Sequence, residues 1–440
     1  MSREWKEVRL GDVVEISSSK RIYAREYVES GVPFYRSKEI IEKSSGSDIS
    51  KELYISKERF DELKNKFGVP KDGDILLTSV GTLGVPYIVM KEEFYFKDGN
   101  LTWLKNFKDN CYNKFIYYWL LSDYGRNQIN SRCIGSTQKA LTIDTLKKFD
   151  VKLPPLNEQK SIAHILSTLD EKIEVNNQIN KKLEEMAQAI FKHWFVDFEF
   201  PNEDGEPYKS SGGEMVESEL GMIPKGWEVG KLGDVVKFQN GYGFKSKDLL
   251  DEEQGECYHV FKMGHIIKGG GLNKSGTKSY IPKDKCLNLE RYILKKGDLL
   301  MCMTDMKSNV ALLGHTALMD ENNKYILNQR VGLIRTLNST VLNYPYLYIL
   351  SNSQEFIENL RSRANSGVQV NLSTKEIKDS LIIVPSEDIH AKYNKIAEML
   401  FEQYFNIGKE NETLIQLRDT LLPKLMSGEI RVPLGEDDIS

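Results

Sequence analysis

The chain has 440 residues, of which 28% are charged and 40% hydrophobic, and its formal net charge is −4. That length exceeds what one core supports and implies two or three domains, while the composition excludes a disordered or fibrous chain. The charge excludes a chain that is basic throughout, yet 60 Lys and Arg leave room for a basic groove.

Met1-Ser2-Arg3-Glu4-Trp5-Lys6 lacks the apolar core of a signal peptide. No apolar run of about 18 residues follows, so no helical membrane span is expected. The five cysteines (111, 133, 257, 286, 302) are odd in number and form no CxxC pair. A disulfide framework and a zinc site are both disfavoured, and a cytoplasmic location is expected.

In chain order, Trp5-Lys6-Glu7-Val8-Arg9-Leu10-Gly11-Asp12-Val13-Val14 opens a first segment, and Trp227-Glu228-Val229-Gly230-Lys231-Leu232-Gly233-Asp234-Val235-Val236 repeats it. Phe34 to Ile40 answers Val260 to Ile266, Tyr54-Ile55 answers Tyr280-Ile281, and Gly73-Asp74-Ile75-Leu76-Leu77 answers Gly297-Asp298-Leu299-Leu300-Met301. Gln138-Lys139-Ala140-Leu141-Thr142 then answers Gln369-Val370-Asn371-Leu372-Ser373. The matches never cross and their offset drifts slowly, as small loop insertions produce. The chain is a tandem duplication. Within each copy, β-rich runs at Asp74 to Ser79, Tyr87 to Met90 and Ile326 to Ile334 are broken by Gly and Asn, as in a twisted or barrel-like sheet. Helices are expected over Asn113 to Asn130 and Tyr344 to Ala364.

Each copy runs through a proline into a long heptad segment. After Pro154-Pro155, apolar side chains at Ile162, Leu166, Leu169, Ile173, Leu183, Ala187, Ile190 and Trp194 alternate by threes and fours, with Asn176 and Asn180 in the same seam. Asn157 is the expected N-cap and Glu158 suits the first-turn dipole. About 40 residues at 1.5 Å each make a rod of roughly 60 Å, more than a core helix needs. From Ile389 a second run reads Tyr393, Ile396, Leu400, Gln403, Ile407, Glu410, Leu414, Leu417, Leu421 and is expected to stop at Pro423. Pairing of the two rods is the expected use of both seams. Pro201 to Gly213, between the copies, is polar and turn-rich, a loop or linker.

Four tokens in this order resemble the specificity subunits of type I restriction–modification systems. They are Gly73-Asp74-Ile75-Leu76-Leu77-Thr78-Ser79-Val80-Gly81-Thr82-Leu83-Gly84, Pro154-Pro155-Leu156-Asn157-Glu158-Gln159, Phe191-Lys192-His193-Trp194-Phe195, and Leu421-Leu422-Pro423-Lys424-Leu425-Met426-Ser427-Gly428-Glu429-Ile430. The resemblance implies an α/β (α+β) fold: two mixed target-recognition domains, each followed by a long helix, with the helices forming an antiparallel coiled coil. It implies domain 1 over 1–156, a central spacer helix over 157–200, a linker over 201–222, domain 2 over 223–387, and a distal helix over 388–432 with a tail to 440. Each domain would read one half of a bipartite asymmetric DNA site, and the helices would set the unread spacer. Two heads on one face of B-DNA need centres about one helical turn, ~34–36 Å, apart, which a rod of this length accommodates. The implied partners are double-stranded DNA, two methyltransferase subunits and, through the complex, restriction/translocase subunits. S-adenosylmethionine, ATP and Mg would belong to those partners, and this chain would bind no cofactor or metal. Asp305-Met306-Lys307-Ser308-Asn309-Val310 replaces the Gly-Thr-Leu-Gly stretch in the second copy, so the two halves are expected to read different sequences.

Arg, Lys, Ser, Thr, Asn, Gln and Tyr on loops reach phosphates and base edges. The candidates in the first copy are Arg21, Tyr23, Arg36, Lys38, Thr78, Thr82, Arg132, Ser136, Thr137, Gln138 and Lys139. Those in the second are Tyr242, Lys245, Lys262, Lys268, Lys274, Lys278, Thr304, Lys307, Asn309, Arg361, Arg363 and Gln369. Phe191, Phe195 and Phe198 cannot all enter one seam and are expected to form a patch for a methyltransferase subunit. No catalytic residue is assigned. The nearest string to an amino-methyltransferase tetrapeptide, Leu153-Pro154-Pro155-Leu156, lacks the polar and aromatic ends, and no Gly-x-x-x-x-Gly-Lys-Ser/Thr phosphate loop exists. Asp298 with Asp305-x-Lys307 fits a nuclease pattern only loosely. A self-contained nuclease or methyltransferase, and a coiled-coil scaffold without base readout, stand as alternatives.

Overall fold

The computed structural model describes residues 4–46, 49–133, 139–306, 310–337, 342–366 and 369–432. Met1–Gln178 with Lys409–Ser440 make one unit and Ile179–Gly408 the other. In the first, a four-stranded antiparallel sheet runs in the order Glu15–Ser17, Leu101–Lys105, Ile75–Thr78, Pro86–Ile88. In the second, Val236–Asn240, Val331–Thr336, Leu299–Cys302 and Thr316–Leu318 take the same order. Each unit adds one parallel strand pair, Phe34 beside Tyr95 and His259 beside Tyr325. Each also pairs its first strand with its last: Lys6–Arg9 with Asp150–Leu153, and Glu228–Lys231 with Leu381–Val384. The duplication is therefore one of topology and register.

The Gly-Asp token marks the turn that enters the central strand. Gly73 and Gly297 have φ of 85° and 88°, a region that favours glycine. Asp74 Oδ2 accepts from the Lys71 amide at 2.9 Å, and Asp298 Oδ2 from the Lys295 amide at 2.7 Å. The run Ile326 to Ile334 is two strands, Tyr325–Leu327 and Val331–Thr336, interrupted by a turn at Asn328–Arg330. The expected helices are likewise each two, Asn113–Leu121 with Asp123–Arg132 and Tyr344–Asn352 with Gln354–Ser362. Ser122 and Ser353 break them by capping new N-termini, accepting from Gly125 and Phe356 amides.

The first long helix spans Leu156–Phe191 and continues as a π turn over Lys192–Val196. It starts one residue before the expected cap, so Asn157 is inside it. The second spans Glu387–Ser427 and runs through Pro423, ending at Gly428 with φ 76°. A proline near the C-terminus of a helix disturbs only the last turns. Within the first unit the helices pair antiparallel: Arg431 meets Glu158 (2.6 Å), Arg418 meets Asp170 (2.8 Å), and Asn176 meets Asn411 (2.9 Å) and Glu410 (2.8 Å). Asn176 is buried, so these bonds satisfy an amide that would otherwise penalise the seam. Within the second unit the buried positions of the second helix step by fours through Ile389, Tyr393, Ala397, Phe401 and Phe405, leaving the expected stripe after Tyr393, and Gln403 is exposed. The fours place those side chains against the head's own core as well as the partner helix.

Phe191, Phe195 and Phe198 are 5%, 3% and 9% exposed, which corrects the expected docking patch. Phe195 packs edge-on to Tyr346 (4.9 Å between centroids) and Tyr393 (4.8 Å), and Phe198 edge-on to Trp227 (5.8 Å). Phe191 enters the second unit's core from the last α-helical position, Phe195 from the π turn and Phe198 from the left-handed residue beyond it (φ 62°), so all three face protein instead of solvent. The expected linker carries a β-hairpin, Met215–Ser218 with Gly221–Pro224. Phe195→Ala should lower the unfolding free energy of the second unit by about 3–5 kcal/mol, the cost of a large aromatic cavity. An exposed patch residue would cost about 0.5 kcal/mol or less, and chemical denaturation separates the two.

Candidate nucleic-acid interface

Three chain segments meet at the exit of the central strand in each unit. In the first, the Ser79 amide donates to the Asn100 carbonyl (2.8 Å) and the Ser79 carbonyl accepts from the Leu141 amide (2.9 Å). In the second, the Met303 amide donates to the Arg330 carbonyl (3.0 Å) and the Met303 carbonyl accepts from the Leu372 amide (3.0 Å). The neighbouring pairs match too, Val80 against Ala140 and Thr304 against Asn371. Sequence tokens more than 60 residues apart are thus side by side in both copies, on loops whose backbones are fixed by the sheet.

Around the first junction, Ser37 Oγ donates to the Asn100 carbonyl (3.2 Å) and Arg21 Nε to Asp98 Oδ2 (3.0 Å). Arg21, Tyr23, Lys38, Thr82 and Lys139 are exposed. Thr78 has no exposed surface, and its hydroxyl accepts from the Val85 amide (2.9 Å) to hold the turn, so it is withdrawn as a contact. Arg36 is tied to the buried Glu39 by bonds of 3.1 and 2.5 Å. Burial pushes the Glu39 carboxyl up, but the bonds from the Arg36 side chain and backbone outweigh it and hold the carboxyl below its usual range. Arg132 bonds the Lys148 carbonyl (2.8 Å) and Asp150 (3.0 Å). Both arginines are occupied by the fold. Ser136, Thr137 and Gln138 lie outside the described residues.

In the second unit Tyr242, Lys245, Lys268 and Lys278 are exposed. Tyr242 bridges to Asn328, one turn away from the junction. Thr304 is buried and donates to Asn371 Oδ1 (2.9 Å), so it too is withdrawn. Lys274 is paired with Asp320 (2.6 Å), Arg361 bonds the Leu313 and Ala311 carbonyls (3.0 and 3.2 Å), and Arg363 bonds Asn359 and Ser380. Gln369, half-buried, pairs with Met306 across the strands. Lys307 and Asn309 lie outside the described residues. The acidic pair of the loose nuclease pattern is structural. Asp298 takes a two-point bond from Arg335 (2.6 Å each), and Asp305 accepts from the Met306, Leu312 and Leu313 amides. Among the described residues no three His, Cys, Asp or Glu gather as a metal-binding group, and no helix is long and apolar enough to cross a membrane.

Half-buried Lys262 heads a turn closed by His265, whose Nδ1 accepts from the Lys262 amide (3.1 Å). His265 is fully buried with Nε2 3.3 Å from Nε2 of His259, and His259 stacks on Tyr280 and Tyr325. Burial pushes His265 down from 6.5 to about 4 and lowers His259 as well, with Lys262 and Lys324 adding repulsion and Glu253 opposing it. The unfolded chain binds the proton first, so stability is full above about pH 6.5 and is lost as pH falls toward 4. The second unit's melting temperature should drop over that window, and His265→Gln should weaken the dependence, with buried His259 and His315 retaining part of it.

The sequence pattern of the type I restriction modification DNA specificity domain matches residues 2–185 and again 224–418. The type I restriction enzyme MjaIX specificity subunit of Methanocaldococcus jannaschii is 27% identical over 440 residues, covering 98% of this chain and 94% of that protein. The type I restriction enzyme HindI specificity subunit of Haemophilus influenzae is 25% identical, covering 72% of this chain and 77% of that one. In fold, the chain is similar to the crystal structure of a type I restriction-modification S subunit from M. genitalium, with TM-score 0.56, 18% identity and 96% of each chain covered.

Proposed function

The chain belongs to the type I restriction modification DNA specificity family, and from that premise we propose that it reads a bipartite, asymmetric double-stranded DNA site, one half with each unit. The observation that carries this reading is the junction built twice on one backbone plan with different side chains. Two different heads suit a non-palindromic site, whereas a symmetric homodimer suits a palindrome. Arg21, Tyr23, Lys38, Thr82 and Lys139 serve the first half-site, and Tyr242, Lys245, Lys268 and Lys278 the second. Such exposed cations and hydroxyls anchor phosphates and reach groove edges, Arg21 and Lys38 doing so from exposed ion pairs with Asp98 and Glu42.

The remaining assignments follow from the same premise. Reading heads occupy 1–156 and 223–387, the long helices set the unread spacer, and two methyltransferase subunits dock, with restriction/translocase subunits joining through the complex. With Phe191, Phe195 and Phe198 buried, exposed apolar side chains of the helices such as Val175, Met186 and Met399 are the better docking candidates. The chain itself is non-catalytic. Adenine methylation with S-adenosylmethionine and ATP- and Mg-dependent cleavage belong to the partners, in the cytoplasm.

Binding of the chain, co-expressed with its methyltransferase subunit, to a randomised duplex library should enrich two short, different half-sites at one fixed separation. Adding one heptad to each long helix lengthens it by ~10.5 Å and should widen that separation by about three base pairs, at ~3.4 Å per pair. Salt-sensitive binding without any enriched sequence would instead favour a scaffold.

A further inference from the structure

The turn Asn328–Arg330 enters its strand where the turn before Leu101 enters the equivalent strand of the first unit; the two differ in side chain and in backbone, the left-handed residue being Arg330 (φ 71°) in one and Gly99 (φ 72°) in the other. We propose that Arg330 is a specificity-determining residue that reads a guanine in the second unit's half-site, and that Asn100 reads an adenine from the equivalent position in the first. The inference rests on the DNA-recognition reading above and assigns bases to it.

The equivalence is fixed by register. Thr78 faces Leu101 across the central strands as Cys302 faces Val331, and the residue before each of those partners, Asn100 or Arg330, gives its carbonyl to the strand exit. Arg330 has φ 71°, the left-handed region that a bulky L residue enters only at a cost. Its surroundings leave little choice. The Asn328 amide bonds the Phe261 carbonyl (3.1 Å), the Gln329 amide bonds the Tyr242 carbonyl (2.8 Å), and the Gly241 amide bonds the Val331 carbonyl (3.1 Å). A side chain at Gly241 would place its Cβ 1.9 Å from the Asn328 carbonyl oxygen, so the facing strand end must stay bare. A strained backbone that its neighbours hold in place is a common sign of a functional position.

The side chain is what the strain presents. Arg330 is exposed, beside exposed Gln329 and Tyr242. Among the described residues its guanidinium has no hydrogen-bond or ion-pair partner. The other four arginines of the unit all have one: Arg291 on the Tyr292 hydroxyl, Arg335 on Asp298, Arg361 on the Leu313 carbonyl, and Arg363 on Ser380. An unspent guanidinium on a rigid turn matches the paired acceptors O6 and N7 of guanine, the commonest specific contact in the major groove. In the first unit, Asn100 spends its carbonyl on the Ser79 amide and the Ser37 hydroxyl, while its side-chain amide has no partner among the described residues. A free carboxamide matches N6 and N7 of adenine.

The test uses the full chain in complex with its co-expressed methyltransferase subunit, selecting from the same randomised duplex library. Arg330→Ala should relax one G·C position of one half-site by about tenfold or more while leaving the other half-site and the separation unchanged. Arg330→Gln should move that position's preference toward adenine, and it carries the test if the alanine variant fails to fold. Asn100→Ala should relax an A·T position in the other half-site. Uniform weakening on all sequences, with the salt slope reduced by about one, would make Arg330 a phosphate contact and overturn the assignment. Unchanged selection would overturn it as well. Selection of no sequence by the wild-type complex is a different failure, that of the DNA-recognition reading itself.

Discussion

Buried polar groups at the roots of the two long helices constrain everything else. Where the chain leaves a head and starts a helix, backbone donors are stranded away from water, and each must find a partner. In the first unit Gln159, fully buried, accepts from the Tyr112 amide (2.8 Å) and donates to the Asn110 and Pro154 carbonyls (2.9 and 2.8 Å). In the second, His390, also fully buried, accepts from the Asn343 amide at Nε2 (3.2 Å). The same backbone need is met by different chemistry, which explains why the Pro-Pro-Leu-Asn-Glu-Gln token has no literal copy at Pro385. Each clamp fixes the direction in which its helix leaves the sheet, and so the packing of everything the helix touches. Glu158, next to Gln159, adds a second tie through Arg431.

The two heads diverge on top of a fixed plan. Strand order, register and the three-segment junction are kept, and with them the buried groups that hold the turns, such as Asp74 and Asp298. Side chains on the outside of those turns are free to vary, because nothing in the core depends on them. Asn100 and Arg330 illustrate that freedom.

The duplication was legible because its tokens are local: a Gly-Asp turn, a proline before a helix, a heptad step. Each is imposed by backbone geometry within a few residues and therefore survives in the sequence. The interface was legible only by residue type. Whether an arginine is spent or available depends on a partner far along the chain, as with Arg361 and Leu313, or Arg132 and Lys148. Thr78 and Thr304 looked like loop hydroxyls, yet both lie at a strand end turned inward. For the aromatic run Phe191 to Phe198, heptad geometry ends at Phe191, where the helix changes to a π turn and the facing angle changes with it. Arg330 carried no local signal at all. It sits inside a β-rich run whose break is marked by Asn328 and Gly332, and only the structure puts the turn at Arg330 itself.

The first unit is assembled from two pieces of chain, with the whole of the second unit encoded between them. During synthesis, Ile162, Leu166 and Asp170 leave the ribosome long before Arg418, Leu425 and Arg431 exist to cover them. The amino-terminal head must therefore wait with an open flank while the other head is made, and it closes only when the last helix arrives. Order of translation and order of completion are reversed. A chain that pauses late, or is cut short within its second long helix, would leave its earliest-made part as the unfinished one.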